Sequence, residues 1–307
     1  MEQSNRTKAP KRGGKIFKLA IKTVSMNFYR HNLSKNAASL AYYLLFSLFP
    51  FLIFLSNLLG LLDLNVYTIT HFLSNFLPSD VVALVENYLD YVATNSSHTL
   101  LWFSLVFSVW FPFRAVQGLM DDVRRAYSLK RPRNFLYYTL KQLVYTMMFL
   151  AILVLTLLLT LMGENVLSSI LSLFPSNLHL SDYVLQIWQY LRFLPAGLLM
   201  FCAIGFLYSI ALDEPRPFRS TILGALIALI SWLVVSIGFS FYVENFSHYS
   251  AIYGTLGTVI VLILWLYLTA FLLILGAELN AAIEKARNAV AAEFEREADP
   301  PSANETK

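Results

Sequence analysis

The stretch NFSHYSAIYGTLGTVIVLILWLYLTAFLLILGA, residues 245–277, contains no Asp, Glu, Lys or Arg. About 20 predominantly apolar residues in a helix are enough to cross the roughly 30 Å hydrocarbon core of a bilayer. A helix formed by this stretch is long enough to span a membrane, and we predict a span at about 249–277. This one stretch already indicates an integral membrane protein.

Five further runs share this property along the chain. Only the run at 99–120 is interrupted, by Arg114. The whole sequence is 57% hydrophobic and only 14% charged, whereas soluble domains contain about 25% charged residues. We therefore predict an all-α integral membrane protein with six transmembrane helices. The other five predicted spans lie at about 36–62, 99–120, 142–163, 193–212 and 220–243.

The positive residues indicate how these spans are oriented. When the spans are threaded in alternation and Arg114 is counted with the basic side, all of the 23 Lys and Arg residues except Arg192 fall on that side. Short loops rich in Lys and Arg stay in the cytoplasm. The distribution predicts that both termini are cytoplasmic. The net charge of +4 therefore hides a strong polarity across the membrane.

Amphipathic patterns in the connecting segments predict helices that lie at the membrane interface. Residues 15–30, KIFKLAIKTVSMNFYR, place apolar side chains at helical spacing and three lysines on another face. Similar patterns occur at 80–92 and, more weakly, at 166–174, in the outer segments after the first and third spans. We expect the N-terminal helix to lie on the inner leaflet, where it either only orients the first span or has a regulatory, lipid-sensing role. The outer helices either pack on the bundle rim or headgroups or cover the outer mouth of a cavity.

These features divide the chain into three parts. Residues 1–35 form a basic cytoplasmic N-terminus that contains the amphipathic helix, and residues 36–280 form the six-span membrane domain. Residues 281–307 extend the last span as a cytoplasmic helix rich in Ala, Glu, Lys and Arg, and end in a disordered tail, ADPPSANETK.

Two prolines inside predicted spans indicate kinks. A proline removes one backbone hydrogen bond and exposes the carbonyl four residues earlier, which hydrocarbon cannot satisfy. Pro50 frees the carbonyl of Phe46 in this way, and we expect the Ser47 hydroxyl to bond to it. Pro112 has the same effect in the second span. Kinked helices either line a cavity or simply pack, and the sequence leaves both alternatives open.

Arg114 is the residue that points most directly to function. A charged side chain in the middle of a span costs about 2.5 to 3.5 kcal/mol on the lenient insertion scale, so it needs a partner, a water-filled cavity or a route to the interface. Its long side chain either extends to the headgroups or binds an anionic group inside the bundle. The second alternative makes Arg114 a candidate substrate contact.

Polar and small residues mark the last two spans. Glu278 and Asn280 follow the final apolar run, and either Glu278 ends the helix in water or it pairs with Arg114 at a similar depth. Gly224 and Ala228 in the fifth span predict close contacts between helices. The last span also contributes three candidate pathway residues from its YGTLG segment, which are Tyr253, Gly254 and Gly257.

The sequence offers no residues for catalysis. None of the patterns HExxH, GxSxG, Walker loop or DxD occurs, Cys202 is the only cysteine, and the five histidines lack metal-ligand spacing. The basic segment 124–133 has no aromatic platform for RNA. We predict no catalytic residues, no metal, no cofactor and no nucleic-acid partner. The expected partners are the lipid bilayer and a lipid or small anionic substrate, and the sequence does not predict the oligomeric state.

Two segments at the ends of the membrane domain resemble a known family. AASLAYYLLFSLFP at 37–50 and SHYSAIYGTLGTVIVLILWLYLTAFLLILGAELNA at 247–281 closely resemble the opening and closing helices of the YihY/BrkB family of bacterial inner-membrane proteins. RAY at 125–127 is similar to the end of the family's second-helix motif. The resemblance covers most of residues 15–285. It implies a six-helix protein of the bacterial cytoplasmic membrane with cytoplasmic termini.

The second span departs from the family pattern. The bulky Phe111 and Pro112 stand where small polar residues are expected, and Arg124 stands where the family often has Asn. Members have been labelled ribonuclease BN, but this sequence supplies neither the metal-binding nor the acid–base residues that RNA cleavage needs. Transport or export of a lipid-like or anionic compound is what the resemblance suggests.

Three functions follow from these observations. The first is a transporter or exporter whose path runs between the kinked first and second spans and the glycine-bearing sixth span. The alternative is a non-transporting envelope scaffold or interaction protein. A membrane enzyme, such as a ribonuclease, is the least supported of the three. Uncompensated polar groups inside membranes usually mark a pathway, which favours the first.

Overall fold

The computed structural model of the protein describes residues 9–61, 67, 70, 73–74, 77–94, 98–129, 134–171, 193–212, 218–246 and 255–298. These residues form eight helices, and no strand occurs among them. The all-α class is therefore confirmed. The helices are α1 (Ala9–Arg30), α2 (Leu33–Leu61), α3 (Ser79–Thr94), α4 (His98–Ala126), α5 (Phe135–Leu171), α6 (Phe193–Ile210), α7 (Phe218–Phe246) and α8 (Thr255–Ala298).

Five of these helices are long and apolar enough to cross a membrane, which confirms a helical membrane protein. The shorter α6 is apolar over Ala196–Ile210. The sixth predicted span, at 193–212, therefore stays a prediction. The five long apolar parts are Leu33–Phe54 in α2, Trp102–Ala126 in α4, Phe135–Thr156 in α5, Phe218–Val243 in α7 and Leu256–Phe294 in α8.

The third span and the outer segment that follows it form one helix. α5 runs without a break from Phe135 to Leu171. The separate interfacial helix predicted at 166–174 is therefore, as far as Leu171, a continuation of the span. Gly163 is the main helix-weakening residue in this stretch, and a glycine inside a helix costs only about 1 kcal/mol relative to alanine. That cost is too small to end a helix of this length.

The amphipathic pattern at 80–92 does form a helix of its own. α3 buries Val81, Val85 and Leu89 almost completely. Val85 and Leu89 pack together with Leu52 of α2. The apolar stripe of α3 therefore faces the bundle, where it covers one end of α2.

The N-terminal helix α1 packs along α8 from Phe271 to Glu293. Ala20 of α1 lies against Ala282 and Ala286 of α8. At the exposed edge of this contact, Nζ of Lys15 lies 2.6 Å from Oε2 of Glu293. α1 is therefore docked on protein along one face, whereas its placement on the inner leaflet stays a prediction.

The bundle core is built from six helices. α2 and α4 form the most extensive helix pair, and α8 packs against α1, α2, α4 and α7. Large side chains without exposed surface fill the centre, among them Tyr208 and Met120. Two buried tyrosine hydroxyls donate to backbone carbonyls, Tyr145 to Ala203 and Tyr208 to Leu273, each at 2.5 Å. These bonds satisfy groups that hydrocarbon cannot solvate.

The backbones of α7 and α8 lie close together where the two helices cross. A Cβ atom at Gly276 of α8 would stand 2.8 Å from the Cβ of Ala228 and 2.9 Å from the carbonyl oxygen of Gly224, both on α7. A Cβ at Gly224 would collide with the carbonyl of Gly276 and the side chain of Asn280. Small residues allow backbones in membranes to pack this closely. The crossing therefore depends on glycine on both helices.

We predict that Gly224→Ala destabilises the protein, since overpacking a tight contact costs about 1 to 3 kcal/mol. Gly238→Ala in the same helix is the matched control, because nothing lies within 4 Å of a Cβ at that position. The control should unfold at the same or a higher temperature than the parent protein. Thermal unfolding of the purified variants in one detergent measures both effects. Equal unfolding temperatures for the two variants would contradict the close crossing.

Candidate functional site

Arg114 lies at the midpoint of the apolar part of α4, Trp102–Ala126. Its Nη1 donates a hydrogen bond of 2.5 Å to Oε1 of Gln117, one turn further along the same helix. The guanidinium carbon lies 5.6 Å from the ring centroid of Tyr43 on α2, within the range of a cation–π interaction. The side chain is half-buried. Arg114 is therefore held where α2 and α4 meet, deep within the predicted span.

Two glutamines extend these polar contacts from α4 to α5. Nε2 of Gln117 donates to Oε1 of Gln142 on α5 at 3.3 Å, and Gln142 is fully buried. One turn along α5, the hydroxyl of Thr146 donates to the backbone carbonyl of Gln142 at 2.8 Å. Arg114 is thus one end of a chain of polar side chains that links α4 to α5.

All the contacts that Arg114 makes are with neutral groups. Within the described ranges no carboxylate forms an ion pair with it, and the ion pairs found there lie elsewhere, at Lys15–Glu293, His31–Glu278 and Arg125–Asp122. A guanidinium has a planar fork of donors that matches carboxylate and phosphate groups. Arg114 therefore has donors of the kind that bind anions and no carboxylate partner among the described residues.

Glu278 neither ends its helix nor pairs with Arg114, so both alternatives from the sequence are wrong. α8 continues to Ala298, and Glu278 is only 1% exposed. Its Oε1 lies 2.5 Å from Nδ1 of His31, and its Oε2 accepts a hydrogen bond of 2.9 Å from Nδ2 of Asn27. Both partners come from the N-terminal part of the chain, which folds back onto α8.

Asn280 ties α8 to the backbone of α7. Its Oδ1 accepts a hydrogen bond of 2.8 Å from the N–H of Gly224, and its Nδ2 donates one of 3.0 Å to the carbonyl of Thr221. The side chain is 3% exposed. Because both ends of the amide are bonded to α7, we leave Asn280 out of the substrate contacts proposed below.

Ser47 and Pro50 lie within the continuous helix α2 and are both buried. The Ser47 hydroxyl donates to the carbonyl of Leu44 at 2.7 Å, so the expected bond to Phe46 is wrong. A serine in a helix reaches carbonyls about one turn earlier. The carbonyl directly before it in sequence is outside that geometry.

The YGTLG segment is described only in part. Tyr253 and Gly254 lie outside the described residues. Gly257 lies in the first turn of α8 and is buried. The prediction that this segment contacts a substrate therefore stays a prediction.

A cavity of about 70 Å³ lies between α2, α4, α5, α6 and α8. Its accessible lining is apolar, and neither Arg114 nor Ser47 belongs to it. Pro112 does line it, so the proline of the second predicted span borders a void. Cavities of this chemistry stay dry. The lining residues are Leu40, Leu44, Pro112, Ala115, Val116, Leu119, Tyr145, Phe149, Ile204, Leu207, Tyr208 and Leu273.

Two cations hold the end of α6. Nη1 of Arg124, a residue only 4% exposed, donates to the carbonyl of Ala211 at 3.2 Å. Nζ of Lys141 donates to the carbonyl of Leu212 at 2.9 Å. The last carbonyls of a helix lack partners and carry partial negative charge, which favours cations there. These contacts tie α4 and α5 to the end of α6.

Sequence reasoning missed His31, Gln117 and Gln142. Gln117 had a usable signal, because it follows Arg114 by three residues inside an apolar run and so lies on the same helical face. Gln142 is the first residue of the third predicted span, and the sequence gives no indication that its side chain contacts Gln117. The contact between His31 and Glu278 joins residues 247 positions apart, and no local pattern indicates it.

Long apolar helices that enclose buried polar contacts define a multi-pass α-helical membrane protein. The profile of the family described as "Virulence factor BrkB" matches residues 24–301, which is most of the chain. The chain belongs to this family, and the resemblance seen in its first and last predicted spans is confirmed.

Relatives are named as bacterial membrane proteins or carry a ribonuclease-like name. The ribonuclease-like protein YfkH of Bacillus subtilis is 31% identical over 265 residues, which cover 86% of this chain and 95% of YfkH. A UPF0761 membrane protein of Alkalilimnicola ehrlichii is 26% identical over 85% of this chain and 57% of its own length. The UPF0761 membrane protein YihY of Salmonella arizonae is 35% identical over 39% of this chain and 41% of its own length. No solved structure matches.

These names support a bacterial membrane location. The chain spans only about half of the length of the two UPF0761 relatives described above. Activities of those proteins therefore come to this chain only as proposals.

We predict that Asn280→Ala destabilises the protein by about 1 to 3 kcal/mol, because it leaves buried backbone groups of α7 without these partners. Asn288→Ala is the matched control, since Asn288 is exposed on the same helix. Chemical or thermal unfolding of both purified variants measures the difference. If both variants unfold like the parent protein, the amide bonds to α7 do not contribute to stability.

Proposed function

We propose that the protein is a transporter or exporter of an anionic, lipid-like compound and that Arg114 contacts the anionic group. The observation that carries this proposal is the half-buried guanidinium at the midpoint of α4, whose partners Gln117 and Tyr43 are neutral. An arginine at this depth is costly unless it is compensated. An anionic ligand supplies that compensation while it is bound.

A row of aromatic rings supports a lipid-like substrate. Phe103, Phe107 and Phe111 follow one another along α4, with ring centroids 4.3 Å and 5.6 Å apart. Phe46 of α2 lies against Phe111 at 5.6 Å. Arg114 continues the same helical face one turn further on, since residues three and four apart are neighbours on a helix. A lipid-like substrate whose apolar chain lies along these rings has its charged head group at Arg114.

The predicted orientation completes this proposal. We place the protein in the bacterial cytoplasmic membrane with both termini in the cytoplasm, on the one-sided distribution of its cations. The division into residues 1–35, 36–280 and 281–307 belongs to the same proposal. α4 then runs from outside to inside, so the aromatic row lies in the outer half of the membrane and Arg114 at its centre.

A non-transporting envelope scaffold is the second candidate, and the apolar cavity favours it. A transport path for a charged compound needs polar groups on its walls, whereas the cavity of about 70 Å³ has none accessible. A bundle of this kind serves equally well as a static anchor for partners. The absence of flux in the parent protein would favour this candidate.

A ribonuclease-like activity is not part of the proposal. The ribonuclease-like name belongs to YfkH. The sequence of this chain contains no HExxH, GxSxG, Walker loop or DxD pattern to which RNA cleavage can be assigned. Incubation of purified, nuclease-free protein with RNA tests this directly, and specific cleavage would reverse the conclusion.

We predict that Arg114→Ala weakens binding of phosphatidylglycerol about tenfold to a hundredfold, whereas Arg114→Lys retains most of it. The loss corresponds to one charge-assisted hydrogen bond, about 1.5 to 3 kcal/mol. Binding is measured in nanodiscs in which phosphatidylglycerol competes with phosphatidylcholine, and flux of the labelled lipid is measured in vesicles.

The matched control is Arg219→Ala, which removes an exposed arginine at the start of α7. It should leave lipid selectivity unchanged. A well-folded Arg114→Ala variant with the selectivity and flux of the parent protein would sink the proposed role of Arg114.

A further inference from the structure

A second group of buried polar residues lies where the turn between α1 and α2 meets α8. Nδ1 of His31 lies 2.5 Å from Oε1 of Glu278, and Nδ2 of Asn27 donates to Oε2 at 2.9 Å. The side chain of Glu278 is 1% exposed and that of His31 is 15% exposed. The imidazole therefore lies between a buried carboxylate and the edge of the bundle.

The backbone holds His31 in this position. Its N–H donates to the carbonyl of Asn27 at 2.8 Å, and its carbonyl accepts a hydrogen bond of 2.9 Å from Nδ2 of Asn36. The next residue, Asn32, has a φ of 53°, a left-handed conformation that asparagine adopts more readily than most residues. The turn thus aims the imidazole at Glu278 through contacts of its own.

Three neighbouring elements contribute polar or ionisable groups around Glu278. α1 contributes the neutral amide of Asn27, and the α1–α2 turn contributes His31. α4 contributes Asp122, which lies close enough to repel the Glu278 carboxylate. Asp122 itself forms an ion pair of 2.5 Å with Arg125. Of the described residues, His31 is the one that pairs ionically with Glu278.

A carboxylate with this environment depends on a partner whose charge changes with pH. Burying a carboxylate is costly unless it is paired and hydrogen-bonded. Lys and Arg keep their charge at physiological pH, whereas imidazole gains or loses a proton between pH 5 and 8. The pair of His31 and Glu278 has no net charge when the imidazole is protonated. It carries one negative charge, next to Asp122, when the proton has left.

We propose that His31 and Glu278 form a proton-binding site that controls how tightly α1 and the α1–α2 turn dock on α8. The proton enters and leaves through the exposed edge of His31. Protonation neutralises the pair and favours the docked arrangement. Loss of the proton leaves a buried negative charge beside Asp122, and this charge favours separation of the turn from α8.

The same site has a direct mechanical connection to Arg114. α2 begins two residues after His31 and carries Tyr43, whose ring packs on the Arg114 guanidinium. Movement of the turn therefore shifts one of the partners of Arg114. A link between proton binding and substrate movement rests on the proposed transport function, whereas proton-dependent docking does not.

Docking is tested by the distance between spin labels on α1 and α8. Labels are attached at Phe17→Cys and Ala289→Cys in a Cys202→Ser background, because residues 17 and 289 are exposed and Cys202 is the only native cysteine. The full-length protein is measured in nanodiscs from pH 5 to 8. We expect one short distance at pH 5 and a growing longer population towards pH 8.

Substitutions at the pair and a matched control identify the proton site. His31→Gln and Glu278→Gln should each abolish the pH-dependent change in distance. Glu293→Gln removes the exposed ion pair with Lys15 between the same two helices, and it should keep the change. Gel filtration and circular dichroism verify folding, and if Glu278→Gln does not fold, His31→Gln decides, because His31 lies at the edge of the bundle.

A distance that does not change with pH in the labelled parent protein would overturn the proposal. So would a pH-dependent change that persists in a folded His31→Gln variant. The lipid-binding measurements on Arg114 variants are made at a single pH, so their failure removes the transport function and leaves the proton site standing. A pH-independent distance together with Arg114-dependent lipid binding gives the reverse result.

Discussion

A polar group inside a bilayer must find its partner within the protein, because hydrocarbon offers none. This constraint organises the bundle. The hydroxyls of Tyr145 and Tyr208 are bonded to carbonyls of neighbouring helices. The amide of Asn280 bonds to the backbone of α7 at the crossing that glycine makes possible. Helix packing and hydrogen bonding therefore stabilise the same contacts.

Two charged residues meet this constraint in different ways. Among the described residues, the partners of Arg114 are neutral, and we propose that its charge is available to an anion from outside. Glu278 has a partner inside the chain, but that partner is an imidazole whose charge depends on pH. The first arrangement suits a binding contact and the second suits a switch. α2 connects the two sites, because it carries Tyr43, which contacts Arg114, and directly follows the turn that contains His31.

The sequence predicts most of the fold but little of the site. The fold follows from local sequence properties, whereas the site depends on contacts between residues that are far apart in the chain. Composition and uncharged runs determine the helical membrane class, and Gly224 with Ala228 indicated the close crossing, because these are local properties. Arg114 was also apparent locally, as a charge in an apolar run. The partner of Glu278 was not, because α1 must fold back on α8 before the two meet. Side-chain geometry was equally beyond the sequence, as the bond from Ser47 to Leu44 shows.

The cations at the end of α6 have a consequence for the order of assembly. Arg124 and Lys141 are synthesised before α6, and their side chains bond to the carbonyls of Ala211 and Leu212 that close it. Among the described apolar helices, α6 has the shortest apolar part, Ala196–Ile210. A short helix that leaves the ribosome meets partners already inserted by α4 and α5. The position of α6 in the bundle thus depends on the preceding helix pair as much as on its own composition.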